Sequence, residues 1–309
     1  MKASAPSLLA QLAALGIRPK KGLGQHFLVD PTHWARIVAA ADLSPADIVL
    51  EVGPGPGVLT ELLAAQAGRV VAIELDDRLI PFLQERFASQ PHVTIVHGDI
   101  LKLDIGYWVQ RAPQFWALGI ARDTQYPIPD TRSPIPNPQY KVVANLPYYI
   151  TAAAVRHLLE AQPPPALLVL TVQREVAERM VASPPAMSLL ALGVQFYCTA
   201  QIVGRIPAGA FYPVPKVDSA VVRLIRRAAP AVPGVTPEAF FRVARAGFGQ
   251  PRKKLRNSLA AGLGVAPAVA EEWLNATGIA PQRRAETLTV AEWGDLTRVV
   301  EHGASGAVQ

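Results

Sequence analysis

The sequence predicts an α/β fold, a doubly wound sheet followed by a small all-helical domain. Three observations carry this. Apolar runs of strand length alternate with helical patterns through about residue 225. A glycine-rich turn, Gly53-Pro-Gly55-Pro-Gly57, joins one such run directly to a helical pattern. From Thr236 onward the strand signal disappears and short amphipathic helical patterns replace it.

Taken in order, Leu8–Leu15 reads as a short helix. Gln11 interrupts it and a single lysine precedes it, which argues against a secretory signal. Lys20-Lys-Gly-Leu-Gly-Gln-His-Phe-Leu28 has two glycines and reads as a basic loop, either a tail into the next helix or a flap with Gln25, His26 and Phe27 as ligand contacts. Asp30-Pro31 supplies the N-cap and first turn of a helix through Ala41. Asp47–Gly53 is a buried-strand pattern, and the helix after the glycine turn starts at Val58. Arg69–Glu74 and Val93–His97 are the next strands, the latter followed by Gly98-Asp99. Between Asp104 and Lys141 prolines break the pattern, so about 105–139 reads as an exposed insertion.

Order returns with a strand at Tyr140–Asn145, a helix from Thr151 to about Glu160, a strand at Ala166–Thr171 and a helix over Gln173–Val181. Leu189–Cys198 is expected as a further strand, and alternating Val217–Ile225 as an antiparallel one. Pro237–Gly247, Lys254–Gly262, Ala266–Gly278 and Val290–His302 read as helices. The expected layout is a sheet domain over 1–230, with an N-terminal loop at 18–30, and a helical domain over 236–309, joined by the Ala/Pro-rich Ala228–Val235.

Composition narrows the classes. Half of the 309 residues are hydrophobic and 17% charged, which suits a substantial core. The single Cys198 excludes an internal disulfide and a cysteine metal cluster and fits a reducing cytoplasm. The six histidines have no paired ligand spacing, so no metal is expected. No run reaches the roughly 18 apolar residues that span a membrane. Charge is unevenly spread. Residues 205–256 carry eleven Lys and Arg against two acids, a net +9, and residues 1–29 add +4, although the whole chain is only +6. Two basic regions on an otherwise acidic chain point to a polyanion such as nucleic acid.

The chemistry-bearing residues fall at strand ends. A glycine turn admits a ligand to backbone N–H groups, and Glu74, about twenty residues on, can accept from both hydroxyls of a ribose. Asp99 can accept from an adenine amine. The turn reads E-x-G-x-G-x-G without the final glycine of a dinucleotide fingerprint, so S-adenosylmethionine fits better than NAD. The fourth strand runs into Asn145-Leu-Pro-Tyr148. An adenine N6 amine is a poor nucleophile until its lone pair leaves the ring. The Asn145 side-chain oxygen and a carbonyl of the Leu146-Pro147 turn could accept its two hydrogens, and Tyr148 could hold the ring by stacking. No titratable base is required, and a base within a folded nucleic acid would have to swing out to reach such a pocket.

Five stretches resemble the ribosomal RNA adenine N6,N6-dimethyltransferases of the KsgA type. They are Lys20-Lys21 with Gly24–Leu28, Leu50–Gly57, Asn145–Tyr148, Phe211–Arg223 and Arg252–Leu259. The likeness runs from about Gly16 to Val300, apart from the insertion. It implies a Rossmann-like, S-adenosylmethionine-dependent methyltransferase domain with a small all-α C-terminal domain that binds rRNA. The implied reaction is dimethylation of two adjacent adenosines in the 3′-terminal hairpin loop of small-subunit (16S) rRNA, late in 30S assembly, by a cytoplasmic monomer. By the same resemblance His26, Leu28, Gly53, Glu74, Asp99 and Asn145 contact the cofactor. Asn145, Pro147, Tyr148 and Phe211 form the catalytic set, with Tyr148 and Phe211 stacking on the adenine, and Arg223, Arg252, Lys253, Lys254 and Arg256 bind RNA. His26 stands where many relatives carry Asn, and Pro184-Pro-Ala-Met-Ser188 departs from the usual pattern. Two other readings stand beside this one: a large-subunit rRNA methyltransferase of the antibiotic-resistance type, and a non-catalytic RNA-binding relative.

Overall fold

The structure, a computed structural model, describes residues 10, 13, 16–109 and 139–306. The expected helix over 8–15 and the insertion at about 105–139 fall almost wholly outside these residues. The chain divides into two compact units, residues 1–177 with 201–225, and residues 178–200 with 226–309.

The first unit is built on strands β1 (Phe27–Leu28), β2 (Ile48–Val52), β3 (Arg69–Glu74), β4 (Val93–His97), β5 (Tyr140–Asn145), β6 (Leu167–Gln173), β7 (Cys198–Ile206), β8 (Phe211–Tyr212) and β9 (Ser219–Arg226). Seven of them form one sheet in the order β4-β3-β2-β5-β6-β9-β7. The pairs β2–β3, β3–β4, β2–β5 and β5–β6 are parallel, and β6–β9 is antiparallel. Helices cover the parallel strands, so β2 is buried along its whole length and reads as a continuous apolar run broken only by Glu51. The chain winds outward from β2 to β4, then returns to lay β5 on the other side of β2. That reversal opens a crevice at the carboxyl ends of the strands, where ligands of this architecture bind.

Local signals explain the flanking elements. Helix Pro31–Ala41 begins with Pro at its first position, and Asp30 accepts from the Thr32 N–H at 2.9 Å. The two-stranded pair β1–β8 joins Phe27 to Tyr212 and Leu28 to Phe211, closing a chain separation of more than 180 residues.

The second unit is helical among the described residues, with helices Leu189–Tyr197, Pro237–Phe248, Leu255–Leu263, Pro267–Ala276 and Val290–Gly306. The strand expected over Leu189–Cys198 is therefore corrected to a helix. Its run is so uniformly apolar that periodicity cannot separate buried strand from buried helix. Ser188 decides the matter locally by accepting from the Ala191 N–H at 3.1 Å as an N-cap. The helix packs Phe196 against Phe240, with ring centroids 4.6 Å apart, and against Phe241 at 5.4 Å. Such ring pairs add roughly 0.5–1.5 kcal/mol each beyond their burial. Strand β7, which follows at once, is half exposed and carries Gly204, so it lacked a strand signal.

Candidate active site

Gly53, Gly55, Glu74, Asp99, Asn145 and Tyr148 line one cleft with about 970 Å³ of empty space, part of it open solvent. Each stands at or just beyond the carboxyl end of a parallel strand, so the sheet register brings them together.

The turn after β2 needs glycine. Gly53, Gly55 and Gly57 have φ of 70°, 55° and 83°, in the left-handed region that side chains avoid. A Cβ on Gly57 would also stand 2.8 Å from the Phe87 ring. Glu74, at the end of β3, is only 6% exposed. Its Oε2 accepts from the Gly55 N–H at 3.0 Å and its Oε1 from the Asp76 N–H at 2.8 Å. These bonds fix the carboxylate and leave lone-pair capacity on both oxygens for a pair of hydroxyls. Burial raises its pKa, and the backbone donors partly offset that. Asp99 follows β4, where its Oδ1 accepts from the Leu101 N–H at 3.0 Å.

Asn145 ends β5. Its Nδ2 donates to the His26 carbonyl at 3.2 Å, and a carbonyl can only accept, so the amide orientation is fixed with Oδ1 as the remaining acceptor. That Oδ1 has no partner among the described residues. Pro147 opens a single 3-10 turn, and its carbonyl accepts from the Ile150 N–H at 3.2 Å and the Thr151 hydroxyl at 3.3 Å. Of the two carbonyls in this turn, Leu146 is the one left with acceptor capacity. The Tyr148 hydroxyl bonds Ser219 at 2.7 Å and its ring stacks on His26, with centroids 5.5 Å apart and planes at 20°. His26 Nδ1 lies 2.7 Å from the Pro213 carbonyl, which requires a proton on Nδ1. Burial is the main cause of a raised Tyr148 pKa.

Other expected residues lie elsewhere. Leu28 is buried and lines a smaller hollow beneath the glycine turn, together with Glu51. Phe211 is 2% exposed, sits in the core cluster beside Leu28 and does not line the main cleft. Gln25 spends its amide on Asp76 at 2.8 Å and on the Lys20 N–H at 2.8 Å. In the first unit Arg223 donates through Nε to the Ala40 carbonyl at 2.9 Å. In the helical unit Arg256 pairs with Glu271 at 2.7 Å. Arg252, Lys253 and Lys254 are exposed, just before helix Leu255–Leu263, with no acid partner among the described residues.

Glu51 heads the E-x-G-x-G-x-G pattern but was given no role from the sequence, and Asp76, two residues past Glu74, was not singled out. Neither Glu51 oxygen closes a hydrogen bond, and the nearby Thr60 hydroxyl is also unpartnered. Burial, then the neighbouring Glu74, push its pKa from 4.5 to about 8 despite Thr60. The folded value lies above the unfolded one, so this group's contribution is fully present below about pH 4.5 and is lost as pH rises through about 8. Glu51→Gln should therefore gain stability over the parent as pH rises from 5 to 9, by about 1.4 kcal/mol per pH unit at most. Thermal melts of both proteins across that range check it, and a constant difference in Tm would contradict it.

A reversed α/β sheet, a glycine turn and two acids on successive strand ends define a Rossmann-like, S-adenosylmethionine-dependent methyltransferase. The solved structure of the 23S rRNA methyltransferase ErmE shares the fold, with TM-score 0.64 and 28% identity over 89% of this chain and 99% of that one. A dimethyladenosine transferase from Plasmodium falciparum superposes with TM-score 0.65 over 90% of this chain and 97% of that one, at 24% identity. Residues 16–302 match the family model described as ribosomal RNA adenine dimethylase, and the chain belongs to that family. Proteins named ribosomal RNA small subunit methyltransferase A are similar along nearly the whole length. The one from Dehalococcoides mccartyi is 47% identical over 298 residues, 95% of this chain and 94% of its own. That from Pelotomaculum thermopropionicum is 42% identical over 285 residues, 91% of each chain.

Proposed function

We propose that this enzyme dimethylates the N6 amines of two adjacent adenosines in the 3′-terminal hairpin loop of small-subunit rRNA, acting on the immature 30S subunit as a cytoplasmic monomer. One observation carries the reading. Asn145 has its Nδ2 committed to His26, which leaves a fixed, unpartnered acceptor in the same cleft as Glu74 and the glycine turn. The donor set suits an adenosine ligand, since Glu74 is held by two backbone bonds with capacity left for the ribose hydroxyls.

S-adenosylmethionine supplies an electrophilic methyl group on a sulfonium. The protein's part is to hold and orient. Glu74 and Asp99 fix the nucleoside end, and the N–H groups of the glycine turn line its path. Asn145 Oδ1 and the Leu146 carbonyl accept the two N6 hydrogens of the target adenine, which turns the nitrogen lone pair out of the ring system. Tyr148 stacks on the base with the ring face that His26 does not cover. The amine proton becomes acidic once the nitrogen is alkylated, so it leaves to water without a dedicated base.

The likeness to ErmE keeps a large-subunit target as the second reading. Similarity above 40% to several small-subunit enzymes favours the first. Nucleoside mass spectrometry of undermodified small subunits, incubated with protein and S-adenosylmethionine, should yield N6,N6-dimethyladenosine. Its absence would overturn the reading.

RNA affinity is assigned to the exposed Arg252-Lys-Lys254 cluster, with smaller shares from Arg223 and Arg256, whose guanidinium groups are already engaged. Reversing the three charges should lower the slope of log affinity against log salt by about 2–3, leaving cofactor affinity unchanged. An unaltered salt slope for subunit binding would count against the assignment.

A further inference from the structure

The strap formed by residues 18–26 is fastened at both ends to groups that serve the cleft. At one end stands Asp76, whose side chain is fully buried among cationic and amide donors. Its Oδ2 accepts from Gln25 Nε2 at 2.8 Å and from Arg78 Nη2 at 2.6 Å, and its Oδ1 accepts from Arg78 Nε at 2.8 Å. Lys20 Nζ lies 3.5 Å from the same carboxylate. Arg78 in turn donates to the Arg18 carbonyl at 3.2 and 3.3 Å. Gln25 closes the strap on itself by accepting from the Lys20 N–H at 2.8 Å. The Asp76 main chain also donates to Glu74 Oε1 at 2.8 Å. At the other end His26 receives Asn145 Nδ2 and stacks on Tyr148.

We propose that Asp76 is a positioning residue that latches the N-terminal strap over the cleft, linking the acid that holds the donor's ribose to the side that holds the target base. The proposal rests on the reading of the cleft as an S-adenosylmethionine site. The links form one chain of contacts, from Glu74 through Asp76 and Gln25 to His26, Asn145 and Tyr148. Hydrogen bonds from Arg78 foremost, and then from Gln25, hold the Asp76 carboxyl well below the usual carboxylate range, so the latch stays charged at any physiological pH. A strap held shut in advance removes the affinity loss that a mostly open strap would impose.

The test uses the full chain with S-adenosylhomocysteine as the probe. Asp76→Asn keeps the backbone bond to Glu74 but loses the charge and one acceptor oxygen. Gln25→Ala removes the strap's amide contact with Asp76 and leaves Asp76, Arg78 and the Lys20 ammonium in place. If closing the latch keeps the strap shut nearly all the time, and either change drops that fraction to a tenth, the probe's Kd rises about tenfold. Without probe, trypsin cleavage at Lys20 and Lys21, read by mass spectrometry, should be slow in the parent and faster in both variants, and saturating probe should protect the variants. KM for the methyl donor should rise in step while kcat at saturation changes little, and Asp76→Glu should recover part of the loss. Parent-like affinity and protection in both variants would overturn the latch. If Asp76→Asn fails to fold, Gln25→Ala alone decides. Failure of the parent itself to bind the probe would instead refute the cofactor site.

Discussion

Asn145→Ala is expected to lower the rate of methyl transfer by at least about 100-fold, while cofactor affinity falls only a few-fold. The asymmetry follows from how the side chain is used. Its Nδ2 tethers the His26 carbonyl at 3.2 Å, which leaves its Oδ1 to take the part proposed for it as acceptor for the adenine amine. Removing both leaves the His26 carbonyl unpaired in a partly buried place, a cost of about 1–3 kcal/mol that falls on the strap. The larger effect comes from the lost acceptor, because the adenine amine then keeps its lone pair in the ring. Asn145→Asp should be nearly as damaging, since a carboxylate oxygen facing the His26 carbonyl repels it. Single-turnover transfer of labelled methyl, with cofactor binding measured by calorimetry, separates the two effects. A variant that transfers methyl at the parent rate would remove Asn145 from the chemistry.

Glu74→Gln should act the other way, on the donor's affinity before its transfer rate. The carboxylate is fixed by the Gly55 and Asp76 N–H groups, and each oxygen keeps capacity for one ribose hydroxyl. Hydrogen bonds to a charged acceptor are worth about 1.5–3 kcal/mol each, so weakening the pair should cost about 100-fold in Kd. The amide also turns an NH₂ toward one of the two backbone donors, which disturbs the very orientation it should preserve. Stability should move little or upward, because the buried carboxylate has its pKa raised by desolvation. The same shift makes donor affinity weaken on acidification at a higher pH than an ordinary glutamate would give. Calorimetric titration of S-adenosylhomocysteine into parent and variant at several pH values checks both points. Equal affinities at neutral pH would show that Glu74 does not carry the ribose.

The strand ends were legible because each rests on a local signal. The apolar runs of β2 to β5 fix where the strands stop, so Gly53, Glu74, Asp99 and Asn145 follow from counting. The helix Leu189–Tyr197 was not legible as a helix, because Gln195 is the one strongly polar side chain in its nine residues, too little contrast to reveal a period. Contacts that depend on tertiary packing were out of reach. Gln25 looked like a ligand contact, yet it is spent on Asp76, 51 residues away. Phe211 looked like a stacking platform from its motif, but the β1–β8 pairing turns it into the core beside Leu28. Glu51 is a charged residue in a buried strand, a conflict visible in the sequence whose consequence needed its missing partners to be seen. The basic stretch was read as one footprint, and the structure sorts it into exposed Arg252, Lys253 and Lys254 and the engaged Arg223 and Arg256.

The most direct test of the central claim is to incubate the protein with S-adenosylmethionine labelled on its methyl group and with undermodified small or large ribosomal subunits, then map the labelled nucleotides. Label is expected in the small subunit alone, on the N6 nitrogens of two neighbouring adenosines near the 3′ end of its rRNA, with two methyls on each. Label confined to the large subunit, or carried on any atom other than an adenine N6, would contradict it.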